Sequence, residues 1–183
     1  QALEKYLKAQ VIVQDSETSG TKFNEFSPEE FKLLVECCQE SELSARSLKR
    51  LTNVYKLYKV LSRTRGKTPT HKEQKTILTL LAFSSRYPDL MRDILQKIGS
   101  IFEKDIIPKE DEKTLSTVFK KYFEENKNKK NSYLADDMDQ LEHDVEKLVS
   151  KELELIEIKD IFDFVRTFSF VGDIGVDHST QER

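Results

Sequence analysis

Residues 44–66 read SARSLKRLTNVYKLYKVLSRTRG, and the period of this stretch decides the fold. At about 100° per residue, with Arg46 set at zero, Leu48, Leu51, Val54, Tyr55, Tyr58 and Leu61 fall between about 60° and 200°. Lys49, Lys56, Lys59 and Arg63 fall between about 220° and 300° on the same wheel. One arc is apolar and the neighbouring arc is cationic, the pattern of a helix packed on one side. Gly66 supplies the stop, because glycine takes the left-handed conformation that ends a helix. The stretch therefore predicts a helix from about Ser44 to Arg65.

Punctuation of the same kind recurs on both sides. Ser27, Pro28 and Glu30 form a capping box with proline at the first helical position, and Phe31, Leu34, Val35 and Cys38 continue an apolar face to about Gln39. Thr70 and Glu73 make a second capping box. It opens a helix that is apolar nearly all round, through Ile77, Leu78, Leu80, Leu81 and Phe83, and is therefore expected to be central. Pro88 ends that helix and starts another, to about residue 104. Residues 111–126, 134–150 and 158–168 each hold a further helical stripe. With five Gly and four Pro in 183 residues, the chain is expected to be an all-α bundle of about seven helices.

The expected organisation is a helical bundle over 1–106 and a helical extension over 107–183. NKNKKN at 126–131 reads as the connector, and the tail from Gly172 reads as disordered. Residues 2–9 suggest a short helix and VIV at 11–13 a strand. No apolar run approaches the roughly 20 residues that span a bilayer, so no membrane span is expected. Cys37 and Cys38 are adjacent in a helical pattern, where disulfide geometry is hard to reach. A reducing, cytoplasmic setting is expected. The chain starts at Gln1 without an initiator Met or a secretory leader, and is expected to be a piece of something longer.

Charge supplies the functional signal. Residues 43–72 hold no Asp or Glu, but carry Arg46, Lys49, Arg50, Lys56, Lys59, Arg63, Arg65, Lys67 and Lys72, in a chain of net charge -3. Such a block needs an anion: a phosphate, a nucleic acid or an acidic surface of its own protein. Between Asp136 and Asp163, eleven acids stand against Lys147, Lys151 and Lys159, so the chain could also neutralise itself. Lys56, Lys59 and Arg63 form the expected anion-binding stripe. Tyr55 and Tyr58 are expected in the core rather than as a stacking platform for bases.

Other motifs point to ordinary structure. Gly66-Lys67-Thr68 has the ending of a phosphate-binding loop, but Leu61 stands where the first glycine is required and a helix, not a strand, precedes it. Asp139, His143 and Glu146 share a helical face without a second helix of matching ligands. Neither a metal site nor a catalytic residue is expected.

FSPEEFKLLVECC at 26–38 and LSARSLKRLTNVYKLYKVL at 43–61 resemble the helical lid of KAP-type P-loop NTPases, within the AAA+/STAND grouping. KTILTLLAFSSRYPDLMRDIL at 75–95 is similar to the next helix of that family, and ALEKYLKAQVIV at 2–13 looks like the entry from a nucleotide domain. The match covers about 2–95, and residues 108–183 resemble nothing named. The resemblance implies a lid closing over ATP and Mg held by an upstream nucleotide-binding domain, with a regulatory or oligomerisation role. Arg46 would be the arginine that senses the terminal phosphate, with Lys49 or Arg50 as substitutes. The chain itself has no Walker A loop and no acidic strand end, so it is not expected to hydrolyse ATP. The alternatives are a basic helical module that binds nucleic acid through phosphate contacts, or a protein–protein interaction scaffold.

Overall fold

The computed structural model describes residues 26–103, 113–126, 135–151 and 153–169. Among them the chain is all-α, with seven α-helices, one 3-10 turn and no strand. The helices are α1 (Pro28–Glu40), α2 (Ala45–Thr64), α3 (His71–Arg86), α4 (Pro88–Glu103), α5 (Leu115–Asn126), α6 (Ala135–Leu148) and α7 (Lys159–Phe168). None is long and apolar enough to cross a membrane. The expected short helix at 2–9, the strand at 11–13, the connector beyond Asn126 and the tail lie outside the described residues.

Two compact units divide the chain, Gln1–Arg86 and Tyr87–Arg183. The step falls at Tyr87 rather than near residue 106. Its cause is packing: α4 contacts α5 and α7.

In the first unit the caps act as their sequences require. The Ser27 hydroxyl accepts the Glu30 N–H at 3.2 Å, and the Glu30 carboxylate accepts the Ser27 N–H at 2.8 Å. Thr70 and Glu73 repeat the exchange at the start of α3, at 3.2 and 2.7 Å. Every residue from Thr76 to Ser84 is buried, so α3 is the central helix, packed against both α1 and α2. Leu33, Leu34, Cys37 and Cys38 of α1, with Leu48, Leu51 and Tyr55 of α2, complete the core. Each fully buried Leu contributes roughly 1.5–3 kcal/mol. Both thiols are free and buried. Burial pushes Cys37 up to about 11 and Cys38 to about 12, which leaves them poor nucleophiles.

In the second unit α5 packs on α4 and α6, and α7 packs on α4. Gly99 makes the last contact close: a Cβ there would sit 3.5 Å from the Phe162 ring. Phe102 lies 5.1 Å from the same ring. Helix α5 begins at Leu115 rather than 111, because the Thr114 hydroxyl accepts the Thr117 N–H at 3.2 Å and caps it there. Lys113 and Thr114 are held by an isolated antiparallel bridge from Thr114 to Glu154. The 3-10 turn Leu155–Ile158 then leads into α7.

Candidate anion-binding face

Helix α2 carries Arg46, Lys49, Arg50, Lys56, Lys59 and Arg63, the residues expected to meet an anion. Ser44 caps it, its hydroxyl accepting the Ser47 N–H at 3.2 Å. Its end is a paired hydrogen-bond stop, with the Lys67 N–H reaching Ser62 O at 2.9 Å and the Gly66 N–H reaching Arg63 O at 2.8 Å. Gly66 takes φ 71. Gly66-Lys67-Thr68 is thus a helix stop, and Lys67 pairs with Glu73 at 3.1 Å.

The inward arc is apolar as its period requires: Leu48, Leu51, Tyr55 and Tyr58 are buried, with Val54 and Leu61 partly covered. Tyr55 and Tyr58 are therefore core residues. The outward arc holds Arg46, Lys49, Arg50, Asn53, Leu57, Val60, Arg63 and Thr64, all exposed. It contains no acid over a helix about 30 Å long. Arg46 lies in the first turn, with Lys49 and Arg50 one turn further on.

The stripe of Lys56, Lys59 and Arg63 does not form as a continuous surface. Lys59 is turned inward, with 5% of its surface exposed, and its Nζ sits 2.6 Å from Glu30 Oε2. Glu30, equally buried, also accepts the Tyr55 hydroxyl at 3.0 Å. The glutamate that caps α1 therefore also ties α1 to α2. Burial, then the Glu30 charge, pushes the Tyr55 hydroxyl well above its ordinary range, so it stays a donor. The Phe26 ring stacks on Tyr55 with centroids 5.8 Å apart, and Lys59 and Lys56 lie 5.3 and 5.6 Å from that ring's centroid. Lys56 is half-buried, and burial, then the neighbouring Lys59, lowers its pKa from the usual lysine value.

Sequence reasoning missed the role of Glu30 beyond its cap. The available signal was an acid one residue before Phe31 and four before Leu34, on the border of the apolar face. It also counted Asp144 with the acidic surface. Asp144 is 1% exposed and accepts the Tyr87 hydroxyl at 2.7 Å and the Gln140 amide at 3.1 Å. Its place three residues after Leu141 and four before Leu148 puts it on the apolar stripe. Among the described residues no group of three His, Cys, Asp or Glu stands together as a metal site.

Comparison of the chain with protein-family models, curated proteins and solved structures returned no match. The likeness to NTPase lids rests on the residues quoted for it alone.

Proposed function

We propose that this chain is a non-catalytic helical module of a larger P-loop NTPase, regulating its nucleotide-dependent conformation or assembly. The observation that carries this reading is the exposure of Arg46 in the first turn of an acid-free helix face, where the lid resemblance expects a phosphate-sensing arginine. A planar guanidinium with permanent charge suits a phosphate whose charge changes on hydrolysis. Lys49 and Arg50, one turn along, extend the same face. ATP and Mg would be held by another domain, and this module would supply the charge that closes over them.

The module alone is expected to show no Mg-dependent ATP turnover. Joined to its P-loop domain, Arg46→Ala should lower kcat at least about tenfold, a small share of what arginine contacts to transferred phosphates can supply. Turnover by the module alone, or unchanged turnover in the joined Arg46→Ala protein, would overturn the proposal.

One observation favours a second reading, a nucleic-acid module: Arg46, Lys49, Arg50 and Arg63 are spread along some 25 Å of one face. Binding through about four phosphates would weaken with salt at a log–log slope near -3.6 on duplex DNA. No binding at low salt would end that reading.

A further inference from the structure

We infer that Thr68, in the loop between α2 and α3, is a phosphorylation site whose phosphate is held by the cationic turn around it. Every residue from Arg63 to Thr68 is exposed, and nothing lies within 4 Å of a Cβ built on Gly66, so the turn is open to a second protein. Among the described residues the other exposed Ser and Thr side chains are already employed. Ser44 and Thr70 cap helices, and Thr64, Ser100 and Thr167 each donate to a carbonyl three or four residues back. Ser150 is engaged as well. Of these, Thr68 alone is in no hydrogen bond, through side chain or backbone. Pro69 follows it and biases it to extended backbone, the form in which a kinase cleft takes its substrate.

Charge decides what the hydroxyl can carry. Arg63, Arg65 and Lys67 precede Thr68 and Lys72 follows it, within a stretch that holds no acid from Leu43 to Lys72. A kinase that reads its substrate by charge recognises such a pattern. The phosphate adds about 1.5–2 negative charges against these cations. Thr68 also stands two residues before the Thr70 cap of α3, and a helix start favours an anion. Lys67 already pairs with Glu73 at 3.1 Å and would be shared between two anions, so the phosphate leans chiefly on Arg65, exposed on the same turn. Glu73, the acid in the first turn of α3, has its Oε2 taken by the Thr70 N–H and hydroxyl at 2.7 and 3.0 Å. The transfer balances with ATP as donor. A bond forms from Thr68 Oγ1 to the γ-phosphorus as that atom's bond to the bridging oxygen breaks, ADP leaves, and the hydroxyl proton passes to the kinase's catalytic carboxylate. The consequence is regulatory: the phosphate gives the C-terminal end of α2 an anion of its own, and an outside anion then meets a weaker field there.

The test incubates the full chain, and a synthetic peptide of residues 61–75, with Mg-ATP and two purified kinases. One is directed by proline after the acceptor and the other by arginine three residues before it. Mass spectrometry is expected to map phosphate to Thr68, by either kinase, and Thr68→Val should abolish it. The folded chain should react at no less than about a tenth of the peptide's rate, because a site that must first unfold is slowed by its small open fraction. No transfer to Thr68 by either kinase, in chain or peptide, would overturn the inference. So would a peptide that reacts while the folded chain does not, or equal transfer to Ser44 and Thr70. The second readout is phosphorus NMR of the modified chain. A phosphate held by cations should titrate below its ordinary value of about 6, and Arg65→Gln or high salt should return it there. An ordinary titration in the unaltered chain would overturn the claim that the turn holds the phosphate. Neither readout uses nucleotide turnover by the joined protein, so failure here and failure of the NTPase reading are distinguishable.

Discussion

Residues 1–86 and residues 87–183 each contain fifteen Lys and Arg, yet the first stretch sets them against ten Asp and Glu and the second against twenty-three. Each unit also buries a carboxylate, and the two do so in different ways. In the basic unit Glu30 meets a full opposite charge, Lys59, together with a phenol and a backbone N–H. In the acidic unit Asp144 is bound by two neutral donors, the Tyr87 hydroxyl and the Gln140 amide. A buried ion pair adds little net stability but is costly to break from one side, because the remaining charge has nowhere to go. A carboxylate held by neutral donors loses only one hydrogen bond at a time. The two units should therefore respond very differently to removal of a single partner.

The largest effect is expected at Lys59. Lys59→Met keeps the volume but strips Glu30 of its counter-charge, and should cost roughly 3–5 kcal/mol. That is a large share of the 5–15 kcal/mol a domain typically has, and the urea midpoint of the first unit's transition reports it. Adding Glu30→Gln should recover part of the loss, because the two sites share one interaction and cannot add. A Lys59→Met cost below about 1 kcal/mol would place the ammonium in water and erase the contrast. Tyr87→Phe in the second unit should cost about 1–3 kcal/mol, since Asp144 keeps Gln140. Equal costs for the two substitutions would mean the contrast of charged and neutral partners does not matter here.

How much of this was legible in the sequence follows from range. Caps are local, so Ser27 with Glu30 and Thr70 with Glu73 could be read directly, as could the stop at Gly66. The period of α2 put Lys49 and Arg63 outside and Tyr55 and Tyr58 inside, as the structure has them. Lys59 could not be placed that way. Near 220° it borders the apolar arc, and whether a long side chain turns in or out depends on a carboxylate 29 residues away. Asp144 hid for the same reason, since its partner Tyr87 is 57 residues distant. Pro88 marked the end of α3, but not that α4 belongs with the later helices. That follows from Gly99 and Phe102 meeting Phe162, a pairing that no local pattern encodes.

Alkaline pH should separate the units by smaller amounts. Cys37 and Cys38 have folded-state pKa values of about 11 and about 12, raised above their ordinary 9.0 by burial. A raised pKa means the folded state holds its proton more tightly, so the stability it contributes is complete below the ordinary value and is lost as pH rises towards the folded one. The first unit should begin to weaken above about pH 9 and continue to about pH 12. In the second unit burial, then the nearby Asp93 charge and its hydrogen bond at 3.3 Å, pushes Tyr122 up to about 12, so weakening should start only near pH 10. Urea midpoints measured between pH 8 and 11 check the order. Weakening of the second unit first would contradict it.

The smallest effects concern two helix ends within the first unit. Helices α1 and α2 both finish with the same pair of hydrogen bonds: Leu43 N–H to Cys38 O with Glu42 N–H to Gln39 O, and Lys67 N–H to Ser62 O with Gly66 N–H to Arg63 O. Each motif needs one residue in the left-handed region, and the residues found there are Glu42 at φ 47 and Gly66 at φ 71. A side chain in that conformation costs about 1–2 kcal/mol, less what glycine loses in unfolded-chain entropy. Nothing lies within 4 Å of a Cβ built on Gly66, so Gly66→Ala tests backbone conformation without steric interference and should cost about 1 kcal/mol. Glu42→Gly should change stability in the opposite direction, by up to about 1 kcal/mol, since it relieves the same conformation at the end of α1. Thermal unfolding of the two variants compares them directly. A loss at both positions would mean that Glu42 is held by its side chain rather than merely tolerated by the backbone.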